Sequence, residues 1–386
     1  MKVALATEVY PPRAGGAGWS TRALALGLRG AGHDVRVVTT SPGPSDLDGL
    51  RVERLAVTGR KRLAVPRAFA RALREMEVDV VHAQHSLSAL GALALPAPGK
   101  VAVTVRDHWP VCFWSTRISQ GALCAGCGTL GMMKCVRGRV PAPGPAAWAV
   151  IPYMQLDLAL KRRALRRAGA TLAVSDAIAE ELRAAGIPRV EVVPNVVDAD
   201  EARATAAAPP SFPLPDRFLL YVGKLEENKG ARLLAGAVAA SRAGLPLVVL
   251  GEGSLAHTLK FDAAAAGVPL VLRGWAERED VLRCLARATA LVFPSLWPEP
   301  LSRVLLEALA LGTPVAAMAT GGTREILAGD AGLVVDDAPS LADAIARLVK
   351  DDALRARTRA AALARAEAFS PRTLVPRYEA AYRRLA

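Results

Sequence analysis

The chain predicts two α/β domains, each a doubly wound parallel sheet, and three observations carry that prediction. Its 386 residues exceed one ordinary domain and suffice for two. Residues 2–40 read as strand, glycine-rich turn, helix and strand, a βαβ unit with its glycines at the first turn. Residues 290–315 repeat that logic: an apolar strand Ala290–Phe293, a turn rich in proline and serine, a helix ending at Gly312, and a second apolar strand after Pro314.

Composition narrows the class. Lys plus Arg number 49 against 36 Asp plus Glu, a net charge of +13, and the excess is uneven: residues 1–200 carry +10 and the remainder +3. A basic first half invites an anionic partner, such as acidic membrane lipid or a phosphate-bearing acceptor. A nucleic-acid role would want aromatic platforms on the basic surface, and none is evident, so no nucleic acid is expected. Met1–Thr7 runs straight into Glu8 with no long apolar core or cleavage site, so it reads as a first strand rather than a signal peptide. No apolar run reaches the ~18 residues of a spanning helix. The chain is expected to be cytoplasmic, with peripheral attachment to the inner face of the cell membrane left open. Five cysteines in that compartment argue against a disulfide framework.

In order along the first half, Lys2–Thr7 is a buried-type strand and Pro11–Gly18 a glycine-rich loop. There, Gly15 and Gly16 either supply a turn of positive φ or let backbone amides approach a phosphate or sugar. Trp19–Arg29 is an amphipathic helix and His33–Thr40 the next strand. Val65–Met76 is a helix with Arg67, Arg71 and Arg74 on one face, Lys61 and Arg62 just before it. That stripe is either a solvated face or a patch for anionic lipid. Val78–Ala83 and Lys100–Val105 are strands, the second ending in Arg106-Asp107-His108-Trp109-Pro110; strand ends are where sites lie in such sheets. Residues 111 to about 148 interrupt the pattern with Cys112, Cys124, Cys127, Cys135 and many glycines and prolines. Cys124-Ala-Gly-Cys127 is a Cys-x2-Cys knuckle, so the four thiolates are candidates for a structural zinc or a four-cysteine iron–sulfur cluster, against four unligated thiols. Ala146–Leu160 with Lys161–Arg167 reads as a helix with an apolar half and a basic end, either core with a capped terminus or an interfacial membrane contact. Strand Ala170–Ser175, a helix to Ala185 capped by Ser175 or Asp176, and strand Val190–Val193 close the first domain, 1–198.

Residues 199–216, rich in alanine and proline, read as the linker, and 217–369 as the second domain. Phe218–Val222 opens its sheet and leads into Gly223-Lys224-Leu-Glu-Glu-Asn-Lys229-Gly230. Strands Leu247–Leu250, Leu270–Gly274, Ala290–Phe293, Val315–Met318 and Ala331–Val335 alternate with helices. Glu299 lies before one helix and Glu307 within it, a Glu-x7-Glu pair. A helix start favours phosphate, and a carboxylate one or two turns inside can accept hydrogen bonds from sugar hydroxyls; together they describe a nucleotide pocket. Thr320-Gly-Gly322-Thr-Arg-Glu325 is a further glycine turn whose amides suit phosphate or sugar, and a final helix within 370–386 closes the chain.

The stretch Phe293-Pro-Ser-Leu-Trp-Pro-Glu299 through Glu307-Ala-Leu-Ala-Leu-Gly312-Thr-Pro314-Val resembles the donor-site signature of the retaining, Leloir-type glycosyltransferases of family 4. The likeness extends over nearly the whole chain, through Gly15-Gly16, Gly32-His33, Pro194-Asn195 and Lys229-Gly230. It implies the GT-B arrangement: two Rossmann-like domains facing a cleft, acceptor on the first, nucleotide-sugar donor on the second, and the last helix crossing back onto the first. Lys224, standing where the family has arginine, and Lys229 would grip the donor diphosphate. Gly15 and Gly16 would face it, and Ser302, Arg303 and Gly322 would join the donor-binding set. Glu307 would hold ribose, Glu299 the donor sugar, and Asp107 the sugar or acceptor. Arg106 stands where the family commonly has a histidine; either it binds phosphate directly or His108 substitutes. Asp107-His-Trp109-Pro-Val-Cys112 matches members with a similar cysteine-rich insertion, a subfamily feature near the acceptor. Val196 replaces the glycine of the family's Pro-Asn-Gly-x-Asp turn.

The resemblance therefore implies retaining transfer of a hexose-type sugar from a UDP- or GDP-sugar to a hydroxyl of a glycan or lipid-linked acceptor, without a catalytic metal. The alternatives are an epimerase or phosphorylase on the same fold, and a non-catalytic binder of anionic surfaces.

Overall fold

The structure, a computed structural model, describes residues 1–58, 61–119, 122–124, 126–139 and 148–386. Ala125 within the cysteine knuckle, residues 140–147 with the expected helix start at Ala146, and the side chains of Lys61 and Arg62 lie outside the described residues. The chain divides into two compact units, Met1–Val196 with Pro371–Ala386, and Val197–Ser370.

The first unit is built on β1 (Lys2–Thr7), β2 (Asp34–Thr39), β3 (Asp46–Leu47), β4 (Leu50–Arg54), β5 (Val80–Ala83), β6 (Val101–Val105), β9 (Ala170–Ala173) and β10 (Val190–Val192). Among the described residues these form one sheet in the order β10-β9-β6-β5-β1-β2-β4-β3, parallel except for the β3–β4 hairpin. Val3–Thr7 and every residue of β5 and β6 are buried, the mark of strands covered on both faces. The order reverses between β1 and β5. The helix Pro371–Arg383 belongs to this unit. Gly27 lets it approach, since a Cβ there would stand 2.8 Å from Val375 Cγ2. Beneath it, buried His82 bonds the Tyr382 hydroxyl through Nδ1 (2.6 Å) and the Thr104 hydroxyl through Nε2 (2.7 Å). Burial, then the charge of Arg106, pushes this imidazole down to about 3, so it stays neutral.

The insertion is more regular than its composition suggests. Two short strands, β7 (Ile118–Ser119) and β8 (Ala122–Leu123), pair antiparallel, and helices Thr129–Arg139 and Val150–Leu165 follow. Their inner faces share a small core of Phe113, Met132, Val136, Ile151, Met154 and Leu158. The i, i+4 pair Met132 and Val136 supplies the amphipathic stripe that the surrounding glycines obscured.

The second unit carries β11 (Leu219–Val222), β12 (Leu247–Leu250), β13 (Leu270–Leu272), β14 (Ala290–Phe293), β15 (Val315–Met318) and β16 (Leu333–Val335), all parallel, in the order β13-β12-β11-β14-β15-β16. Numbered within the unit, this is the 3-2-1-4-5-6 order of dinucleotide-binding sheets, with its switch point between β11 and β14. Residues 199–216, read as a linker, lie in this unit. Asp198 accepts amide bonds from Asp200 and Glu201 (3.0 Å each) to cap the helix Ala199–Ala206, and Arg203 donates to the Ala310 carbonyl (3.0 Å). Alanine after an aspartate cap favours helix, and the prolines begin only at Pro209.

Candidate functional site

The switch point of the second unit brings two loops together, 223–230 after β11 and 294–302 after β14. Gly230 has φ +70°, and a Cβ there would sit 1.9 Å from the Pro294 carbonyl oxygen, so only glycine allows the two backbones to touch. The Asn228 carbonyl accepts from the amides of Leu296 (3.0 Å) and Trp297 (2.8 Å), which locks the loops in register. On that frame Lys229 Nζ donates to Glu299 Oε1 at 2.6 Å and lies 4.2 Å from the Trp297 ring centroid. Ser295 Oγ donates to the same carboxylate oxygen at 2.7 Å. Glu299 is buried while the Lys229 side chain keeps 23% exposure, so the ammonium is the accessible end of the pair. Gly321, at φ +51°, packs against Glu299: its Cβ would stand 2.2 Å from the Glu299 oxygen. The Gly322 amide, expected to serve phosphate or sugar, donates to that oxygen (2.7 Å) and fixes the turn. Lys224 is exposed; its carbonyl accepts from the Tyr221 hydroxyl (2.7 Å), and its ammonium has no partner among the described residues. Burial, then the charges of Glu299 and Glu226, raises the Tyr221 phenol.

Glu307 lies one turn into the helix Arg303–Leu311, behind Ser302, which caps with extended backbone and no side-chain bond. Its Oε1 accepts from Arg303 Nε (3.0 Å) and Arg278 Nε (3.2 Å), and Arg278 Nη1 reaches Glu201 Oε1 (3.1 Å). Arg303 is thus a partner of Glu307 within a buried chain of charges. Burial, then Arg278, lowers its pKa, and Glu307 opposes them. Sequence reasoning assigned no role to Ser295, Trp297, Arg278 or Glu201. Ser295 precedes Glu299 by four residues within the turn already singled out; Arg278 and Glu201 sit on other helices and left no pattern.

In the first unit the switch point falls between the ends of β1 and β5. Glu8, directly after β1, accepts amide bonds from Leu87 (2.6 Å) and Ser88 (3.1 Å). Burial raises its pKa against those bonds, and Asp107 adds to the rise. Asp107, after β6, is likewise raised by burial and accepts from the Trp109 amide (2.7 Å). The sequence singled out no role for Glu8, because a lone acid at a strand end gives no spacing to read. Arg106 bonds Asn195 and Gln84 through its two terminal nitrogens. His108, the suggested substitute histidine, is buried with Nδ1 2.7 Å from Glu181 Oε2, which also holds Arg117 (2.9 Å). Gly15 caps the helix Gly16–Gly30 at φ −76°, so the turn of positive φ does not apply to it, and nothing lies within 4 Å of where its Cβ would be.

Cys112 and Cys127 are hydrogen-bonded to each other, with Cys124 near enough to act on Cys127. Cys127 donates to Cys112 Sγ, and that bond with the amides of Arg117, Thr116 and Trp114 brings Cys112 down to about 5 against its burial, while the Cys127 thiol rises. Among the described residues no group of three or more His, Cys, Asp or Glu side chains could hold a metal ion. The structural zinc or iron–sulfur cluster expected on Cys112, Cys124, Cys127 and Cys135 is not supported.

Two parallel-sheet α/β units are also the architecture of solved glycosyltransferases. Sucrose-phosphate synthase from Thermosynechococcus elongatus matches with TM-score 0.72 at 21% identity, covering 100% of this chain and 98% of that one. Anabaena HepE in complex with UDP-glucose matches at 0.70 and 17%, covering 98% of each. At such identities the likeness carries the fold, and the fold is GT-B. Two family models then account for the sequence: Glycosyltransferase Family 4 over residues 14–201 and Glycosyl transferases group 1 over residues 203–365. The chain belongs to the group 1, family 4 type of glycosyltransferases. A D-inositol 3-phosphate glycosyltransferase of Nocardioides sp. is 36% identical over 209 residues, a stretch covering 47% of this chain and 45% of that relative, less than half its length. A GDP-mannose-dependent alpha-mannosyltransferase of Mycobacterium tuberculosis is 29% identical over 343 residues, 85% of this chain and 81% of the relative.

Proposed function

We propose that this chain transfers a hexose-type sugar, with retention and without a catalytic metal, from a UDP- or GDP-sugar to a hydroxyl of a glycan or lipid-linked acceptor. The observation that carries the proposal is the Lys229–Glu299 pair, 2.6 Å apart at the switch point of a 3-2-1-4-5-6 sheet. Lys229, with the free ammonium of Lys224, offsets the charge that grows on the departing diphosphate as the C1–O bond breaks. Glu299, steadied by Ser295 and Lys229, accepts from donor-sugar hydroxyls. Glu307 has Oε1 committed to two arginines and presents Oε2 to the ribose hydroxyls. Gly15, with open space over its Cα at the start of the first unit's helix, belongs to the donor-binding set. Glu8 and Asp107 orient the acceptor. The acceptor oxygen forms the new bond to C1 from the leaving face, and its proton passes to the leaving phosphate oxygen.

The test is a panel of UDP-, GDP- and ADP-sugars followed by thermal shift and by release of the nucleoside diphosphate, with EDTA in parallel. One base should stabilise the chain, turnover should survive EDTA and require an added acceptor, and product NMR should show the donor's anomeric configuration. Sugar interconversion without acceptor favours an epimerase; absence of any shift or turnover removes the assignment.

A further inference from the structure

The insertion and the helix after it carry most of the chain's net charge. Residues 111–167 hold nine Lys and Arg, at 117, 134, 137, 139, 161–163, 166 and 167, against one acid, Asp157, for a net +8 of the chain's +13. That acid is already paired, with Lys161 at 2.7 Å.

The helix Val150–Leu165 has two apolar faces. Ile151, Met154 and Leu158 turn inward to the small core, while Tyr153, Leu156 and Leu160 are 48%, 57% and 54% exposed. At ~100° per residue the two sets lie about half a turn apart, so one packing surface cannot cover both. Arg163 continues the outer stripe and is exposed, with Arg167 just beyond the helix. The neighbouring helix Thr129–Arg139 repeats the arrangement: Met132 and Val136 face in, Leu130 and Met133 are 75% and 38% exposed, and exposed Lys134 and Arg137 flank them. The Arg67, Arg71 and Arg74 stripe, the other candidate surface, is exposed but has Leu63 as its only large exposed apolar neighbour on that helix among the described residues.

We propose that this outer face of the insertion docks on an anionic bilayer surface, with Tyr153, Leu156, Leu160, Leu130 and Met133 entering the headgroup boundary and the surrounding cations contacting lipid phosphate. A protein partner or a second copy would have to supply a strongly acidic apolar surface. Among the described residues the excess on this chain is basic throughout the patch, so self-association brings like charges together, whereas acidic lipid answers both the charge and the apolar stripe. The inference is independent of the sugar-transfer reading, because binding is scored without donor or acceptor.

The experiment is co-sedimentation of the full chain with vesicles of pure phosphatidylcholine or of phosphatidylcholine with about a third phosphatidylglycerol, with sedimentation velocity alongside. Binding to the anionic vesicles should exceed binding to the neutral ones at least tenfold and weaken as salt rises. Leu156→Ser with Leu160→Ser, and separately Arg163→Glu with Arg167→Glu, should each lower it at least tenfold, while Arg67→Glu with Arg71→Glu changes it less than threefold. Circular dichroism should match the parent, since the altered side chains are exposed. Equal binding to both vesicle types, no binding to either, or a dimer that the leucine variant dissolves would each overturn the proposal.

Discussion

Removing the Lys229 charge while keeping its stem over Trp297 isolates the central pair, and Lys229→Met does this. At the observed 2.6 Å separation, Coulomb's law with an effective dielectric of about 20 gives a gross attraction of about 6 kcal/mol. Desolvation of buried Glu299 and the partial exposure of the lysine cancel much of it, leaving an expected coupling of about 1.5–3 kcal/mol. Ser295 still donates to the carboxylate, so the variant retains one of the two bonds. The assay is a double-mutant cycle of Lys229→Met and Glu299→Gln, read as urea midpoints without donor at constant slope. The double variant should be less destabilised than the two singles combined. With the donor found by the panel, Lys229→Met should also slow transfer by ~10²-fold. A coupling under ~0.5 kcal/mol, or full transfer by Lys229→Met, would refute the electrostatic account.

Four further outcomes are expected. Gly230→Ala forces a Cβ onto the Pro294 carbonyl at φ +70° and should lose over ~2 kcal/mol on thermal denaturation. Gly15→Ala, with open space, should stay within ~1 kcal/mol yet raise the KM for donor; unchanged kinetics would leave that glycine without a role. Glu307→Ala removes the carboxylate that buried Arg278 and Arg303 both bond and should cost ~3 kcal/mol, whereas Glu307→Gln should fold, with weaker donor binding measured by calorimetry. His82, about 3 in the folded chain against ~6.5 unfolded, gives stability that is complete above pH 6.5 and falls as the pH drops toward 3, because only the unfolded state takes up the proton. About 1 kcal/mol should vanish between pH 7 and 5.5, and the His82→Gln variant should lack that part of the slope in pH-resolved melting.

The sheets were legible because parallel central strands buried on both faces are unbroken apolar runs. Lys2–Thr7, Leu247–Leu250, Ala290–Phe293 and Val315–Met318 begin and end where the sequence places them. Lys229 and Glu299 were legible as separate motif residues, but the contact between them, 70 positions apart, was not. It depends on Gly230 letting two loops touch, and backbone approach has no residue pattern of its own. The Glu201–Arg278–Glu307–Arg303 chain joins three helices and shows in sequence only as the Arg303–Glu307 spacing. In residues 199–216 the prolines masked a capped alanine helix. In the insertion, cysteine spacing suggested ligands where backbone amides and the Cys127 thiol bond Cys112 instead.

The last helix has a consequence for synthesis. His82 is sealed beneath Tyr382, a partner 300 positions later, and Gly27 packs on Val375. The unit translated first is thus the one completed last: its sheet emerges early and waits, its flank unroofed, through all of Val197–Ser370. A ribosome that stalls before residue 371 releases a chain whose second unit has all of its own residues while the first does not.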